Sequence, residues 1–190
     1  MTPAAVRTVL ARAFVDDPLM AWFFPDAETR PHACAALFGL FAETYLRSGR
    51  VDVDGGEAPV AVAMWRWPGG TEAPAESLPS VPGLMTALMG ADRAARIGGA
   101  MSVISGVRPP EPYAYLHVLG VDPLARGRGL GGDLLERGLT AARQAGLVAC
   151  LETMNPANVP FYVRHGFEVR SEIPLAHGGP TVWAMATTGP

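Results

Sequence analysis

Lysine is absent from the 190 residues; all fifteen basic residues are arginine, and they are scattered along a chain of net charge −3. Without a basic block there is no surface to neutralise phosphates, which excludes nucleic acid and leaves a small molecule as the expected partner. No uninterrupted apolar run reaches the roughly 20 residues that a membrane helix requires. Arg7 and Arg12 interrupt the N-terminus where a signal peptide would be apolar, so the chain reads as cytoplasmic and free of membranes. Two cysteines, Cys34 and Cys150, make no disulfide framework and sit in apolar surroundings that suit small buried side chains. The four histidines lack metal-ligand spacing, and no metal site is expected.

Asparagine is nearly absent too. Lys and Asn codons both begin with two adenines, and the wealth of Ala, Gly and Pro points to GC-rich coding. The chain's two asparagines, Asn155 and Asn158, nonetheless stand three residues apart, and that clustering calls for a reason.

What is present is a chain 49% hydrophobic. Its length suits one compact domain over residues 1–190, burying about 70% of its unfolded surface. Apolar residues at helical spacing predict a helix over residues 3–15, stopped by Asp16-Asp17-Pro18, and a second over 29–47. A hairpin follows, with strands at 51–54 and 58–67 around Gly55-Gly56. Residues 68–82 are rich in Pro, Gly and Glu and read as a surface loop. Two short helices, broken near Gly90 and Gly98-Gly99, occupy 84–104. The second half alternates: strand 113–121, helix 129–145, strand 148–153, helix 157–165, then strands 167–173 and 181–186. The expected class is therefore α/β (α+β), with a mixed sheet that is parallel at the crossover and antiparallel toward the C-terminus.

The turn after Val121 carries the clearest chemistry. Arg126-Gly127-Arg128-Gly129-Leu130-Gly131-Gly132 enters a helix directly after a strand, so several unblocked amides meet at a helix N-terminus, which is an anion site. Glycines let the backbone approach a ligand, and the two arginines add charge-assisted donors. The other reading is a tight strand-to-helix connection with solvated arginines. No Lys-Ser/Thr follows, as a Walker loop requires, and the G-x-G-x-x-G order is missing. The spacing is R-x-x-G-x-G.

That signature after Val121-Asp122-Pro123 resembles the GNAT superfamily of N-acetyltransferases. The resemblance implies a GNAT fold whose central sheet is split between the strands at 113–121 and 148–153. It implies acetyl-CoA as cofactor, with the strand end Leu119-Gly120-Val121 pairing with the pantetheine arm and the amides of residues 127–132 holding the pyrophosphate. Residues 107–190 would then be the acetyl-CoA half and 1–106 the acceptor half, with a helical insertion. The segment 151–167, with its Asn-bearing loop and Phe161-Tyr162-Val163-Arg164-His165-Gly166-Phe167, resembles the second GNAT signature. It implies Tyr162 as the acid that protonates the departing thiolate. Asn155 and Asn158 would bond the cofactor, or else serve turn chemistry and helix capping. The resemblance implies a first strand with no counterpart in this sequence, which starts at the helix that follows it; either the sheet is a strand short or the true start lies upstream.

An attacking amine must be neutral. A lysine-like amine is neutral roughly once in 2,500 molecules at pH 7, costing about 4.6 kcal/mol, against about 1.4 for an α-amino group. Candidate bases are His117, where arylalkylamine acetyltransferases carry histidine, and Glu152, where some ribosomal-protein acetyltransferases carry a base; a water relay and purely structural roles stay open. A narrower resemblance, to the puromycin N-acetyltransferase family of actinobacterial enzymes, runs through 5–8, 13–16, 111–123, 151–153, 160–162 and 181–185. It implies a small-molecule amine acceptor and a role in antibiotic resistance. His117 departs from it, being apolar there. Asp17 (beside Asp16), Trp22 and Phe23 (beside Phe24), with Tyr115, are the expected acceptor-site residues, suited to a cationic, partly aromatic amine; core packing is the plainer reading. Two alternatives remain, a peptide N-acetyltransferase and a non-catalytic acyl-CoA sensor, and a homodimer is left open.

Overall fold

A computed structural model describes residues 1–73, 80–110 and 112–189. Helix α1 (Pro3–Phe14) starts where Pro3 presets the first turn and Thr2 Oγ1 accepts from Ala5 N. Asp16-Asp17-Pro18 ends it as expected. The same residues then open a helix the sequence reading missed, α2 (Pro18–Phe23), with Asp17 as N-cap and Pro18 at its first position. One turn with two caps carries too little periodicity to be seen in sequence. Arg30, at the start of α3 (Arg30–Ser48), donates to the carbonyls of Phe24, Pro25 and Val15. These are the orphan acceptors of two helix ends, and one guanidinium ties them together.

The hairpin forms from β1 (Arg50–Asp54) and β2 (Ala61–Arg66). β2 is buried on both faces, which is why it reads apolar almost throughout rather than alternating. Ala61, Ala63 and Trp65 face one core, Val62 and Met64 the other. Residues 74–79 of the expected loop lie outside the described residues. Helix α4 (Val81–Met89) and α5 (Ala91–Met101) meet at Gly90 as expected, but Gly98-Gly99 does not break α5, and a 3-10 turn (Ser102–Val107) follows. Then come β3 (Tyr113–Val121), α6 (Leu130–Gln144), β4 (Val148–Thr153), α7 (Val159–Arg164), β5 (Phe167–Pro174) and β6 (Thr181–Thr187).

Among the described residues the sheet has six strands in the order β1-β2-β3-β4-β6-β5. It is mixed: β3 and β4 are parallel across the α6 crossover and the other pairs antiparallel. Helix α6 packs tightly on β2, since a Cβ on Gly138 would lie 2.1 Å from the Trp65 ring. Opposite, a Cβ on Gly120 would lie 2.8 Å from Leu10 of α1.

One irregularity shapes the rest. Met64 pairs with Val118 but the next residue, Trp65, pairs with Leu116, so His117 is an extra residue in β3, a β-bulge. Leu116 and Val118 would share a face in a regular strand; here they enter different cores. Beyond the bulge β3 turns from β4. Their pairing covers only Tyr113 with Val148 through Leu116 with Leu151, while β3 stays paired with β2 to Val121 and β4 with β6 to Thr153. The sheet therefore opens as a V whose arms keep their outer neighbours.

Candidate active site

The outer arm of the V leads into the Gly-rich turn. Asp122 Oδ1 caps a 3-10 turn through Leu124 N, and Arg12 pairs with the same carboxylate at 2.9 Å. Gly127 and Gly129 both have φ of +80°, a region where a Cβ is strained, and the space around each is open. Gly129 caps α6 and offers no side chain to the first amides of the helix, those of Leu130, Gly131 and Gly132. Arg126 is committed elsewhere, donating to the Ala13 carbonyl at 3.0 Å and fastening the turn to α1, while Arg128 is exposed.

Inside the V lies a cavity of about 780 Å³. It brings together Asp17, Phe23, Tyr115, His117, Leu119, Glu152, Asn158 and Tyr162, from α2, β3, β4 and α7, with apolar walls from α3, α4 and α5. Tyr162 is 8% exposed; burial raises its hydroxyl above the ordinary tyrosine value and the charge of Asp17 adds to the effect, so it stays protonated. Asp17 accepts from Leu19 N at 2.9 Å as the α2 cap. Burial raises its carboxyl against the lowering by the Leu19 and Met20 amides, and among the described residues no basic side chain pairs with it.

His117, the bulge residue, stacks on Tyr115 and stands edge-on to Phe41 at 4.7 Å between centroids. Its Nδ1 is buried and has no hydrogen-bond partner among the described residues. Burial lowers the imidazole to about 4; Glu72 pulls it upward, and Arg108 and Arg66 push it further down. At neutral pH it is an unprotonated imidazole.

Glu152 is differently placed. Tyr115 donates to its Oε2 at 2.6 Å, and Arg108 donates Nε to Oε1 at 2.9 Å and Nη2 to Oε2 at 3.4 Å. Arg108 also reaches Glu72 at 2.8 Å and lies 3.8 Å from the centroid of the Tyr115 ring. Burial works to raise the Glu72 carboxyl, but His117, Arg108 and Arg66 outweigh it and hold it below the usual range. Glu72 and Arg108 escaped the sequence reading. Both sit in aperiodic segments, and nothing local links positions 36 and 44 residues apart in sequence.

The expected residues divide accordingly. Trp22 stands apart from the others: it is not among the residues that line the cavity, and Nε1 donates to the His177 carbonyl while the ring packs against Leu175 and Gly179. Asn155 Oδ1 caps the turn before α7 through Ala157 N, whereas Asn158 faces the cavity and makes no capping bond. The backbone of Leu119, Gly120 and Val121 lies on the inner edge of the V, beyond the last β3–β4 pair. Cys34 and Cys150 are both buried. No helix among the described residues is long and apolar enough to cross a membrane.

Residues 61–167, β2 through the start of β5, match the Acetyltransferase (GNAT) family. Over 65 residues the chain is 43% identical to mycothiol acetyltransferase from Geodermatophilus obscurus; the match takes in 33% of this chain and spans only 21% of that relative's length. Two solved structures share the fold. A histone acetyltransferase HPA2 and related acetyltransferase from Corynebacterium glutamicum superposes with a TM-score of 0.67 at 24% identity, covering 97% of this chain and 90% of that one. Arylalkylamine N-acetyltransferase 2 from Aedes aegypti gives 0.62 at 13% identity, covering 97% and 93%.

Proposed function

This chain belongs to the acetyltransferase (GNAT) family, acyltransferases that use acetyl-CoA, and we propose that it moves the acetyl group to the primary amine of a small, largely apolar molecule. One observation carries the reading: Tyr162, His117 and the unpaired carboxylate of Asp17 converge on one apolar cavity at the open end of the β3–β4 split.

Acetyl-CoA suits the surfaces beside that cavity. The uncapped amides of α6 and the open left-handed glycines form a cradle for a pyrophosphate, and the unpaired edge of Leu119 to Val121 can take up an amide-bearing arm. Asn158 stands where it can bond that arm, and the unused amide nitrogen of Asn155 gives it a lesser part. When bound, acetyl-CoA supplies the thioester and, after transfer, a thiolate. Tyr162, held protonated, donates to the sulfur as charge develops there; donors of this kind are worth about 10² to 10⁴ in rate.

His117 receives the amine's proton. It is neutral and faces the cavity, whereas both oxygens of Glu152 are taken by Tyr115 and Arg108. Glu152 then acts as a positioning residue. Asp17 draws the cationic amine into an apolar chamber lined by Phe23, Phe38 and Phe41, which suits an alkyl or arylalkyl body. Amine-bearing antibiotics of that shape fall within this class, and their acetylation would be a resistance activity. The reaction takes place in the cytoplasm, where acetyl-CoA is made.

A thiol-release assay with acetyl-CoA against benzylamine, phenethylamine, puromycin-like aminonucleosides and peptide N-termini tests the proposal. Turnover of the hydrophobic amines is expected. Turnover of peptides alone would replace it with a peptide acetyltransferase, and cofactor binding without any turnover with a sensor.

A further inference from the structure

The acceptor cavity does not end where the sheet face ends. Tyr115 and Glu152 face the same side as Cys150 and Ala186, which are paired across β4 and β6 and join Tyr113 and Tyr115 in one apolar cluster. Over Cys150 and Ala186 lies a second cavity of about 310 Å³, walled by Val107, Pro109 and Val148. Among the described residues only Arg108 and Glu152 line both chambers.

Arg108 is fixed between them. Its fork holds Glu152, its Nη1 reaches Glu72 at 2.8 Å, and its guanidinium carbon lies 3.8 Å from the centroid of the Tyr115 ring. Its side chain is 15% exposed and that of Glu152 4%. A planar guanidinium held on three sides is rigid. An apolar tail could pass only by breaking a buried ion pair, which is strongly unfavourable. The partition therefore divides two chambers that are both largely apolar, and nothing else among the described residues lines both.

Resting on the reading that the larger cavity receives the acceptor, we propose that Arg108 is a specificity-determining residue: it closes that cavity at the Glu152 end and sets the longest amine accepted, by denying its tail the chamber floored by Cys150 and Ala186.

The test is kcat/KM across straight-chain primary amines from butylamine to dodecylamine. The unaltered chain should gain with each added methylene up to a cut-off and then lose. Arg108→Ala combined with Glu152→Gln removes the partition together with the charge it neutralises. The cut-off should move to longer amines, and the long-to-short ratio should rise at least about tenfold, since one methylene in an apolar pocket is worth about 10- to 200-fold. Adding Ala186→Leu, which fills the second chamber, should restore the original cut-off, and Ala186→Leu alone should leave the series unchanged. A general loss of rate scales every amine alike and does not move the ratio. An unchanged ratio in a folded double variant overturns the proposal. If that variant does not fold, Arg108→Lys, which keeps the charge without the planar fork, must shift the cut-off the same way or the proposal falls. If the unaltered chain turns over no amine, the acceptor reading has failed instead. The length dependence of amine Kd by calorimetry then decides the partition separately: a dependence that Arg108→Lys leaves unmoved overturns it.

Discussion

Tyr115 donates its hydroxyl to Glu152 at 2.6 Å, beneath an Arg108 guanidinium that binds the same carboxylate from the other side. Burial and the charge of Glu152 hold the Tyr115 hydroxyl far above its ordinary value, so it remains a donor. The carboxylate is thus spoken for on both oxygens. Glu152→Gln leaves Arg108 facing a neutral amide, and breaking a buried pair costs about 3–5 kcal/mol. Urea unfolding should register a loss of that order, while kcat/KM falls less than about tenfold, well short of the 10² to 10⁴ expected of a base. A rate loss of that larger size with stability intact would make Glu152 the proton acceptor.

Tyr162 has the opposite profile. Its ring packs against Phe161 and Phe167, and among the described residues no hydrogen bond of its hydroxyl holds the fold. Tyr162→Phe should therefore melt within a few degrees of the unaltered chain and bind acetyl-CoA equally well, yet lose about 10² to 10⁴ in kcat. Single-turnover kinetics at saturating acetyl-CoA reads this directly; unchanged kcat would remove Tyr162 from the chemistry.

The contrast between these residues tracks what sequence can carry. The placements of Gly129, Gly131 and Tyr162 were legible because they are local: a helix start, a helix face, a fixed spacing from a strand. Asp17 was legible as a helix stop and emerges also as a helix start, since one side chain can end one element's register and cap the next. The bulge at His117 was not legible. An extra residue in a strand appears only against its partner's register, and Val118 and Leu116 look alike until β2 is laid beside them. Glu72 and Arg108 lay beyond reach for a related reason: their pairing is set by how loops cross the sheet, and aperiodic segments carry no record of what they cross. Trp22 shows the converse separation. A cluster of aromatics beside acids suggested a binding site, but a six-residue helix has a far side, and Trp22 is on it.

Gly129 offers a test of the cradle alone. At φ +80° with open space around it, Gly129→Ala adds strain of about 1–2 kcal/mol without a clash and tilts the first amides of α6. KM for acetyl-CoA should rise several-fold while acceptor KM stays put. Equal changes in both would indicate a general disturbance of the fold.

Asp17 can lose its charge without losing its cap, because Asn caps helices as well as Asp does. Asp17→Asn should keep the thermal midpoint and raise KM for cationic amines by about ten- to a hundredfold, a charge-assisted contact being worth roughly 1.5–3 kcal/mol. Removing that negative charge also lets the Tyr162 hydroxyl fall toward its ordinary value. A neutral competitive inhibitor of the same shape should bind both forms alike. If its affinity drops as much as that of the amines, Asp17 shapes the pocket rather than attracting charge.

His117 ties stability, but not rate, to pH. Burial holds its imidazole at about 4 in the folded chain, against 6.5 when unfolded. Between those values the unfolded chain binds more protons, so this contribution is complete above pH 6.5, drains away as pH falls through the window, and is gone below about 4. It amounts to at most about 3 kcal/mol, and His117→Gln should flatten that part of a urea-midpoint profile. Activity should show no such inflection. With His117 already neutral above pH 5, the rise of kcat/KM with pH follows the amine, so acceptors of different basicity should show inflections that move with their own pKa. A common inflection near 6.5 for all acceptors would mean that His117 titrates as a solvated histidine, and its place as the buried proton acceptor would be lost.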